Sequence, residues 1–387
     1  MSISGKLIGG PFIASIDFNG NRANKSECAY VVKNYLVPRG YTAYILDSSF
    51  PKEYALNLST YFPDASVLYG LESCDIFHDY DIIEVSETGI IHYLYNDCTE
   101  DTVIFITNKC NSNCIMCPDS DSNRKHNIGY RKHYLEKLID LLPSDVNHIT
   151  ITGGEPTLLK WDFIDILSKC KDKFENTEFL LLSNGRSFSD NEYRNAFLKV
   201  IPSMFRIGVP IYADNPIDHD AITRAPGSFN QTISALLHLQ NNLETEIRIV
   251  VMRNTYKELP NIARFLTEKL PHIYTVSLMG MEILGNAAIH RDELWIDFAD
   301  TVHYIEEAVQ ILLSAGIEAK IYNYPLCSLP HKLWSIAAKS ISNYKVTYQP
   351  ECESCEVKSL CGGFFNSTMH AEKISVYPIK ENKSDTK

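Results

Sequence analysis

Over the first hundred residues, apolar positions come in short bursts separated by turn residues. Phe12-Ile-Ala-Ser-Ile-Asp-Phe18 and Tyr41-Thr-Ala-Tyr-Ile-Leu46 read as strands, with a short helix over Ser26–Leu36 between them. Asp81–Ser86, the turn Glu87-Thr88-Gly89 and Ile90–Tyr95 read as a β-hairpin with glycine at its turn. This pattern predicts a small α+β unit over residues 1–100, with no catalytic constellation in it.

From residue 101 the pattern changes to strand–helix alternation. The predicted strands are Thr102–Thr107, His148–Thr152, Glu178–Ser183, Phe205–Tyr212, Glu246–Val251 and Thr275–Met279. Helical periodicity lies between them, as at Tyr130–Leu142, where Leu135, Leu138, Ile139 and Leu142 share a face, and at Ile233–Leu243. Six βα units with short loops predict a parallel sheet, open or barrel-like. One more strand-like piece, Glu318–Tyr322, follows Ala315-Gly316.

The chemistry sits where the strands end. The run Val103–Ile106 leads into Cys110-x3-Cys114-x2-Cys117. Three thiolates are one fewer than the four protein ligands of a structural zinc or of an ordinary [4Fe–4S] cluster. Such a set leaves one iron open to bind a substrate. The competing reading is a zinc knuckle completed by Cys170 or His126. The second strand ends in Gly153-Gly154-Glu155-Pro156, 36 residues beyond Cys117. A glycine pair lets backbone come close to a ligand, and Glu155 adds a carboxylate. The third strand ends in Ser183-Asn184-Gly185, a common turn that also offers polar atoms. Beyond residue 320, Cys327, Cys352, Cys355 and Cys361 form a second group that completes one closed metal site, zinc or iron–sulfur. Cys28, Cys74, Cys98 and Cys170 read as small buried hydrophobes.

Composition narrows the classes. Hydrophobic content of 45% and charged content of 22% describe an ordinary globular chain, and a net charge of −12 speaks against nucleic acid or an anionic membrane. No run approaches the roughly 20 apolar residues of a membrane span. The start lacks the marks of a signal peptide. Eleven cysteines without an export signal point to metal binding in a reducing cytoplasm rather than to disulfides.

The three-cysteine loop and Gly153-Gly154-Glu155-Pro156 together resemble the radical S-adenosylmethionine (SAM) superfamily, with Met116 where that family usually has an aromatic residue. The resemblance implies a partial (β/α)6 barrel over residues 101–320. It implies a [4Fe–4S] cluster on Cys110, Cys114 and Cys117, and SAM held by Gly153, Gly154, Glu155, Pro156, Ser183, Asn184 and Arg224. The activity implied is reductive cleavage of SAM to a 5′-deoxyadenosyl radical that abstracts hydrogen from a substrate. The stretch His219-Asp220…Arg224…Gly227-Ser228-Phe229 is similar to one in peptide-modifying members, and Met281–Ala288 resembles the family's glycine-containing segment near the adenine. Cys352-x2-Cys355-x5-Cys361-Gly-Gly resembles the SPASM/twitch tails, which implies one auxiliary [4Fe–4S] cluster over residues 321–371, followed by a polar tail at 372–387. The ensemble is most similar to the His-Xaa-Ser system radical SAM maturases. This implies a ribosomally made precursor peptide as substrate, an electron donor such as flavodoxin or ferredoxin, and a partner maturase. Residues 1–100, without chemistry of their own, either cover the barrel by packing alone or recognise the precursor or a partner. Two other readings stand beside it: a radical SAM enzyme of small metabolites and a non-catalytic zinc-binding module.

Overall fold

The computed structural model describes residues 3–96, 102–119, 124, 132–371 and 374–380. Cys98 and His126 lie outside these residues, as does most of the stretch between Asp119 and Lys132.

The N-terminal unit is a seven-stranded sheet with strands β1 (Lys6–Ile8), β2 (Phe12–Asp17), β3 (Cys28–Val31), β4 (Ala43–Asp47), β5 (Ser66–Leu71), β6 (Ile82–Val85) and β7 (Ile91–Tyr95), and one helix, α1 (Lys52–Tyr61). The order is β1-β5-β4-β3-β2-β6-β7. β2, β3, β4 and β5 run parallel, and antiparallel strands flank them. The expected hairpin is present as β6 and β7. Gly89 turns it at φ +79°, and a Cβ there would lie 2.2 Å from the carbonyl oxygen of Gly5. The helix expected over Ser26–Leu36 is replaced by one 3₁₀ turn at Lys25–Glu27 and by β3. Cys28-Ala-Tyr-Val31 is buried along its whole length, with Ala29 and Val31 on one face of the sheet and Cys28 and Tyr30 on the other. Burial on both faces is the setting of an inner parallel strand and overrides a short helical pattern. β1, α1 and β5 were not anticipated.

The second sheet carries β8 (Thr102–Phe105), β9 (His148–Thr152), β10 (Glu178–Leu182), β11 (Phe205–Pro210), β12 (Glu244–Val251), β13 (Thr275–Gly280), β14 (Glu318–Tyr322) and the two-residue β15 (Ala337–Ala338). They lie in chain order and all run parallel. The connecting helices are α2 (Lys132–Leu141), α3 (Trp161–Lys173), α4 (Asn191–Val200), α5 (Pro216–Thr223), α6 (Ser228–Leu239), α7 (Leu259–Lys269), the short α8 (Gly285–Ile289) and α9 (Arg291–Leu294), and α10 (Phe298–Ser314). Successive crossovers of one hand in one direction put every helix on the same face. Ile104, Ile151, Leu181, Ile207, Ile249, Leu278 and Ile321 therefore point outward into the core they share with the helices. The opposite face is concave and lined by the alternate residues. β8 and β15 end the sheet without pairing with each other, so it curls into an open half-barrel. All six expected strands are present, and Glu318–Tyr322 joins them as a seventh.

The N-terminal sheet packs against the helical side of the barrel, where Ile13 and Ile82 join the core formed with Leu135 and Leu138 of α2. The second cysteine group begins before β15, with Cys327 in a 3₁₀ turn at Leu326–Ser328, and its other members lie beyond β15 among 3₁₀ turns and the two-residue strands β16 (Val346–Thr347) and β17 (Phe364–Phe365). Among the described residues no helix is long and apolar enough to cross a membrane.

Candidate active site

β8 ends at Phe105, and the chain then forms the three-cysteine loop at the C-terminal mouth of the barrel. The segment after β9 is laid directly on it. Gly154 N–H donates to Thr107 O at 2.6 Å, and Glu155 N–H donates to Lys109 O at 2.8 Å. A Cβ on Gly153 would lie 2.3 Å from Thr107 O, and one on Gly154 would lie 2.3 Å from Lys109 O. The glycine pair thus permits a close approach, as the sequence suggested, but what it approaches is the backbone of the cysteine loop.

Glu155 is fully buried and caps the 3₁₀ turn begun by Pro156. Its Oε1 accepts from Thr157 N–H at 3.1 Å, Thr157 Oγ1 at 2.5 Å and Ser183 Oγ at 2.8 Å, and its Oε2 accepts from Asn184 N–H at 2.7 Å. Burial raises its pKa, and these donors oppose the rise. The carboxylate therefore ties the end of β9 to the end of β10. Asn184 extends the tie, its Nδ2 donating to Asn111 Oδ1 at 2.6 Å. Arg186 completes it by donating to Asn111 O and to Ser112 Oγ.

Two more segments grip the loop. Asn113 N–H and Ile115 N–H donate to Thr223 O and Ile222 O at the end of α5, at 2.9 and 3.0 Å. Asn286 Nδ2 donates to Asn113 Oδ1 and to Cys114 O, both at 3.0 Å, and Asn286 N–H donates to Cys117 O at 2.9 Å. Asn286 lies in the glycine-containing segment that the sequence singled out.

The three thiols are packed close enough to act on one another. Cys114 is pushed up to about 12 by burial and then by the neighbouring Cys117 and Cys110. Burial also raises Cys110, while Ser112 N–H, 3.4 Å from its sulfur, and the Arg124 guanidinium oppose the rise. Arg124 donates to Ser112 O, Asn113 Oδ1 and Asp119 O. The phenol of Tyr212 is buried against the same thiols, which add to its raised pKa. Crowded, desolvated thiols of this kind ionise when a cationic centre binds them, so the donor set fits a metal cluster.

Other expected residues fall elsewhere. Arg224 ends α5 at φ 52°, is exposed, and meets His290 at 3.0 Å, away from the Glu155 network. Asp220 accepts from Gly227 N–H, Ser228 Oγ and Phe229 N–H at 2.6–2.8 Å, so His219-Asp220…Gly227-Ser228-Phe229 is in this structure a cap on α6. Cys170 is fully buried in the core on α3, its thiol pushed up to about 12, which removes it as a completing ligand for the loop. Met116 is likewise buried in the core.

In the tail, Cys327, Cys352, Cys355 and Cys361 line one cavity with Phe364, Val376 and Tyr377. Their sulfurs accept backbone N–H groups. Leu326 and Gly363 donate to Cys361 and Ile379 donates to Cys355, each at 3.4 Å, and Tyr377 donates to Cys327. Residues 374–380, expected to belong to a free polar tail, instead strap the cavity. Ser375 anchors the strap by donating through N–H and Oγ to Asp297 Oδ2, both at 2.8 Å. Among the described residues, no three His, Cys, Asp or Glu side chains stand close enough to grip a single metal ion.

Residues 104–266 match the radical SAM superfamily. This chain carries a radical SAM domain. Such a domain implies SAM and one [4Fe–4S] cluster, and the half-buried Cys110, Cys114 and Cys117 lie within the matched residues. Similar solved structures include Streptococcus suis SuiB, at 12% identity over 68% of this chain and 56% of that one, with a TM-score of 0.45. The native anSMEcpe structure with bound AdoMet shares 17% identity over 57% of this chain and 63% of that one, TM-score 0.45. A radical SAM methyltransferase from Sphaerobacter thermophilus shares 15% over 70% and 81%, TM-score 0.40. The chain spans little more than half the length of the SuiB structures, 56% and 52%. No curated protein matches it.

Asn111, Ser112, Arg124, Thr157, Arg186 and Tyr212 were missed at the sequence level. Arg186 directly follows Ser183-Asn184-Gly185, and that adjacency was the available signal. The others are common residues in loops, and no spacing marks them.

Proposed function

We propose that this chain is a radical SAM maturase of a ribosomally made peptide. Cys110, Cys114 and Cys117 hold the SAM-binding [4Fe–4S] cluster. Cys327, Cys352, Cys355 and Cys361 hold one auxiliary [4Fe–4S] cluster. A cluster held there would supply the electron for reductive cleavage of SAM to methionine and a 5′-deoxyadenosyl radical, the species that would take hydrogen from the peptide. The chain's own residues do the positioning. Glu155, Arg186 and Asn286 fix the loop backbone, Gly153 and Gly154 keep it seated on β9, and the concave sheet shields the reacting atoms from water. Ser183 and Asn184 are engaged in the Glu155 network and Pro156 begins the turn that Glu155 caps, and SAM is expected next to them. Arg224 meets SAM in this reading only by leaving His290.

The observation that carries the peptide reading is the open side of the barrel. β8 and β15 do not pair, and Val103 and Phe105 on the concave face of β8 are 46% and 39% exposed. A gap of this kind suits a chain that passes through better than a metabolite that must be enclosed. β7 ends the N-terminal sheet, so an extended precursor could add a strand there, presented by a partner maturase. A flavodoxin or ferredoxin in the cytoplasm supplies the electrons.

The test is anaerobic reconstitution with SAM, a reductant and candidate precursor peptides containing His-Xaa-Ser repeats. Mass spectrometry should find a peptide mass change that tracks 5′-deoxyadenosine. Stoichiometric SAM consumption with a small metabolite, and none with any peptide, would move the assignment to a metabolite enzyme.

A further inference from the structure

The concave face of the barrel is layered by charge. Strand register aligns three rows across β12, β13 and β14. Glu246, Thr275 and Glu318 form the deepest row. Arg248, Ser277 and Lys320 form the next, and Val250, Met279 and Tyr322 form the row nearest the cysteine loop. Their in-between neighbours Ile247, Ile249, Val276, Leu278, Ala319 and Ile321 belong to the core behind the sheet, so the rows face the hollow.

The middle row is cationic and held from below. Arg248 Nη1 meets Glu246 Oε1 at 2.8 Å, and Lys320 Nζ lies 3.7 Å from Glu318 Oε2. Each acid sits one pleat deeper than its cation and so steadies it from below. The Arg248 stem crosses Gly208 of β11, where an added Cβ would lie 2.9 Å from Arg248 Cδ. Its guanidinium lies 6.0 Å from the Tyr322 ring. Between the two cations stands Ser277, fully buried, and its hydroxyl has no hydrogen-bond partner among the described residues. A buried hydroxyl left unpaired costs free energy, so a group that pairs it is favoured at that point. An arginine fork, a hydroxyl and an ammonium on adjacent strands, roughly 5 Å apart from strand to strand, match a carboxylate.

We infer that Arg248, Ser277 and Lys320 bind a carboxylate of the substrate, so the enzyme selects an acidic residue or a chain terminus at the depth of the barrel. The inference rests on the maturase reading for the identity of the substrate, but its binding test does not. The row is a specificity element, and Glu246 is a positioning residue for Arg248.

The probes are N-acetylglutamate α-amide and its neutral counterpart, N-acetylglutamine α-amide, titrated by NMR into the full-length reconstituted protein. The acidic probe should bind at least about tenfold more tightly, a difference of about 1.4 kcal/mol. Arg248→Gln alone would strand the buried Glu246 carboxylate. The variant is therefore Glu246→Gln/Arg248→Gln, with Lys320→Gln and Ser277→Ala made separately and circular dichroism as the folding control. The preference should vanish in the double variant and shrink in each single one. Equal binding of the two probes to the wild type, or a preference that survives in the folded double variant, overturns the inference. Peptide-independent SAM cleavage is followed in the same samples. Its loss in step with probe binding would assign the row to SAM's own carboxylate and also overturns the inference. Failure of the maturase reading is seen separately, as an absence of peptide modification by the wild type.

Discussion

At the barrel mouth, three thiols ride on a loop whose backbone is tied down by the segments after β9, β10, β11 and β13. In the tail, four thiols line one cavity, and backbone N–H groups donate to all four sulfurs. At the mouth the hydrogen bonds fix the position of the loop. In the tail they reach the sulfurs, where N–H donors favour the thiolate form. In the proposed reading the first set holds an open cluster and the second a closed one. An open site needs a rigid frame because its ligands alone do not define it. A closed site is defined by its ligands, and short turns of chain suffice to present them.

The sharpest way to break this contrast is Cys114→Ala. It should abolish reductive SAM cleavage, a loss of more than about 1,000-fold that follows from removing one of three ligands, while the tail keeps its metal. Persistent 5′-deoxyadenosine formation would show that the loop does not hold the reactive cluster. Next in size, the reconstituted wild type should contain about eight irons, two [4Fe–4S] clusters by ligand count. Cys361→Ala should lose about half of them and retain SAM cleavage without peptide. About four irons with one zinc would make the tail a zinc site.

Gly154→Ala tests the frame without touching a sulfur. Its methyl would press on Lys109 O, at a cost of about 1–3 kcal/mol by the usual overpacking range. Iron at the loop should fall while iron in the tail stays, as read by Mössbauer or EPR spectroscopy. An equal fall at both sites would show that the two are not independently framed.

The smallest expected effect lies in the support behind the loop. Asp220→Asn weakens the cap on α6 and should cost about 1 kcal/mol in urea unfolding. Burial pushes the Asp220 pKa upward, but the donors from Phe229, Ser228 and Gly227 outweigh it, and the net shift is down from 3.8. A lowered folded pKa means that this stabilisation is present above pH 3.8 and fades as pH falls through the folded value. The gap between wild type and variant should therefore narrow in acid. A gap that widened there would remove the charged cap.

Much of this was legible in the chain. The seven long barrel strands announce themselves by apolar runs, because a parallel strand covered by helices must be hydrophobic where it meets them. Both cysteine groups are visible because most of their members are closely spaced, as Cys110-x3-Cys114-x2-Cys117 and Cys352-x2-Cys355-x5-Cys361. What could not be read is what each residue meets. Cys28–Val31 looked helical until a sheet closed on both its faces. Asp220 looked like part of a binding stretch until its oxygens were seen to cap α6. Residues 374–380 are polar enough to suggest a free tail, yet their backbone N–H groups reach the tail thiols, and a backbone donor leaves no mark in a sequence. Thus the sequence by itself determined the seven long strands of the barrel and the two sets of thiols, since periodicity and spacing are local. Only the tertiary structure decided that Glu155 ties β9 to β10, that Asn286 grips a loop 172 residues away, and that Arg248, Ser277 and Lys320 share one row. Those facts depend on register and curvature between strands, which arise when distant segments pack together.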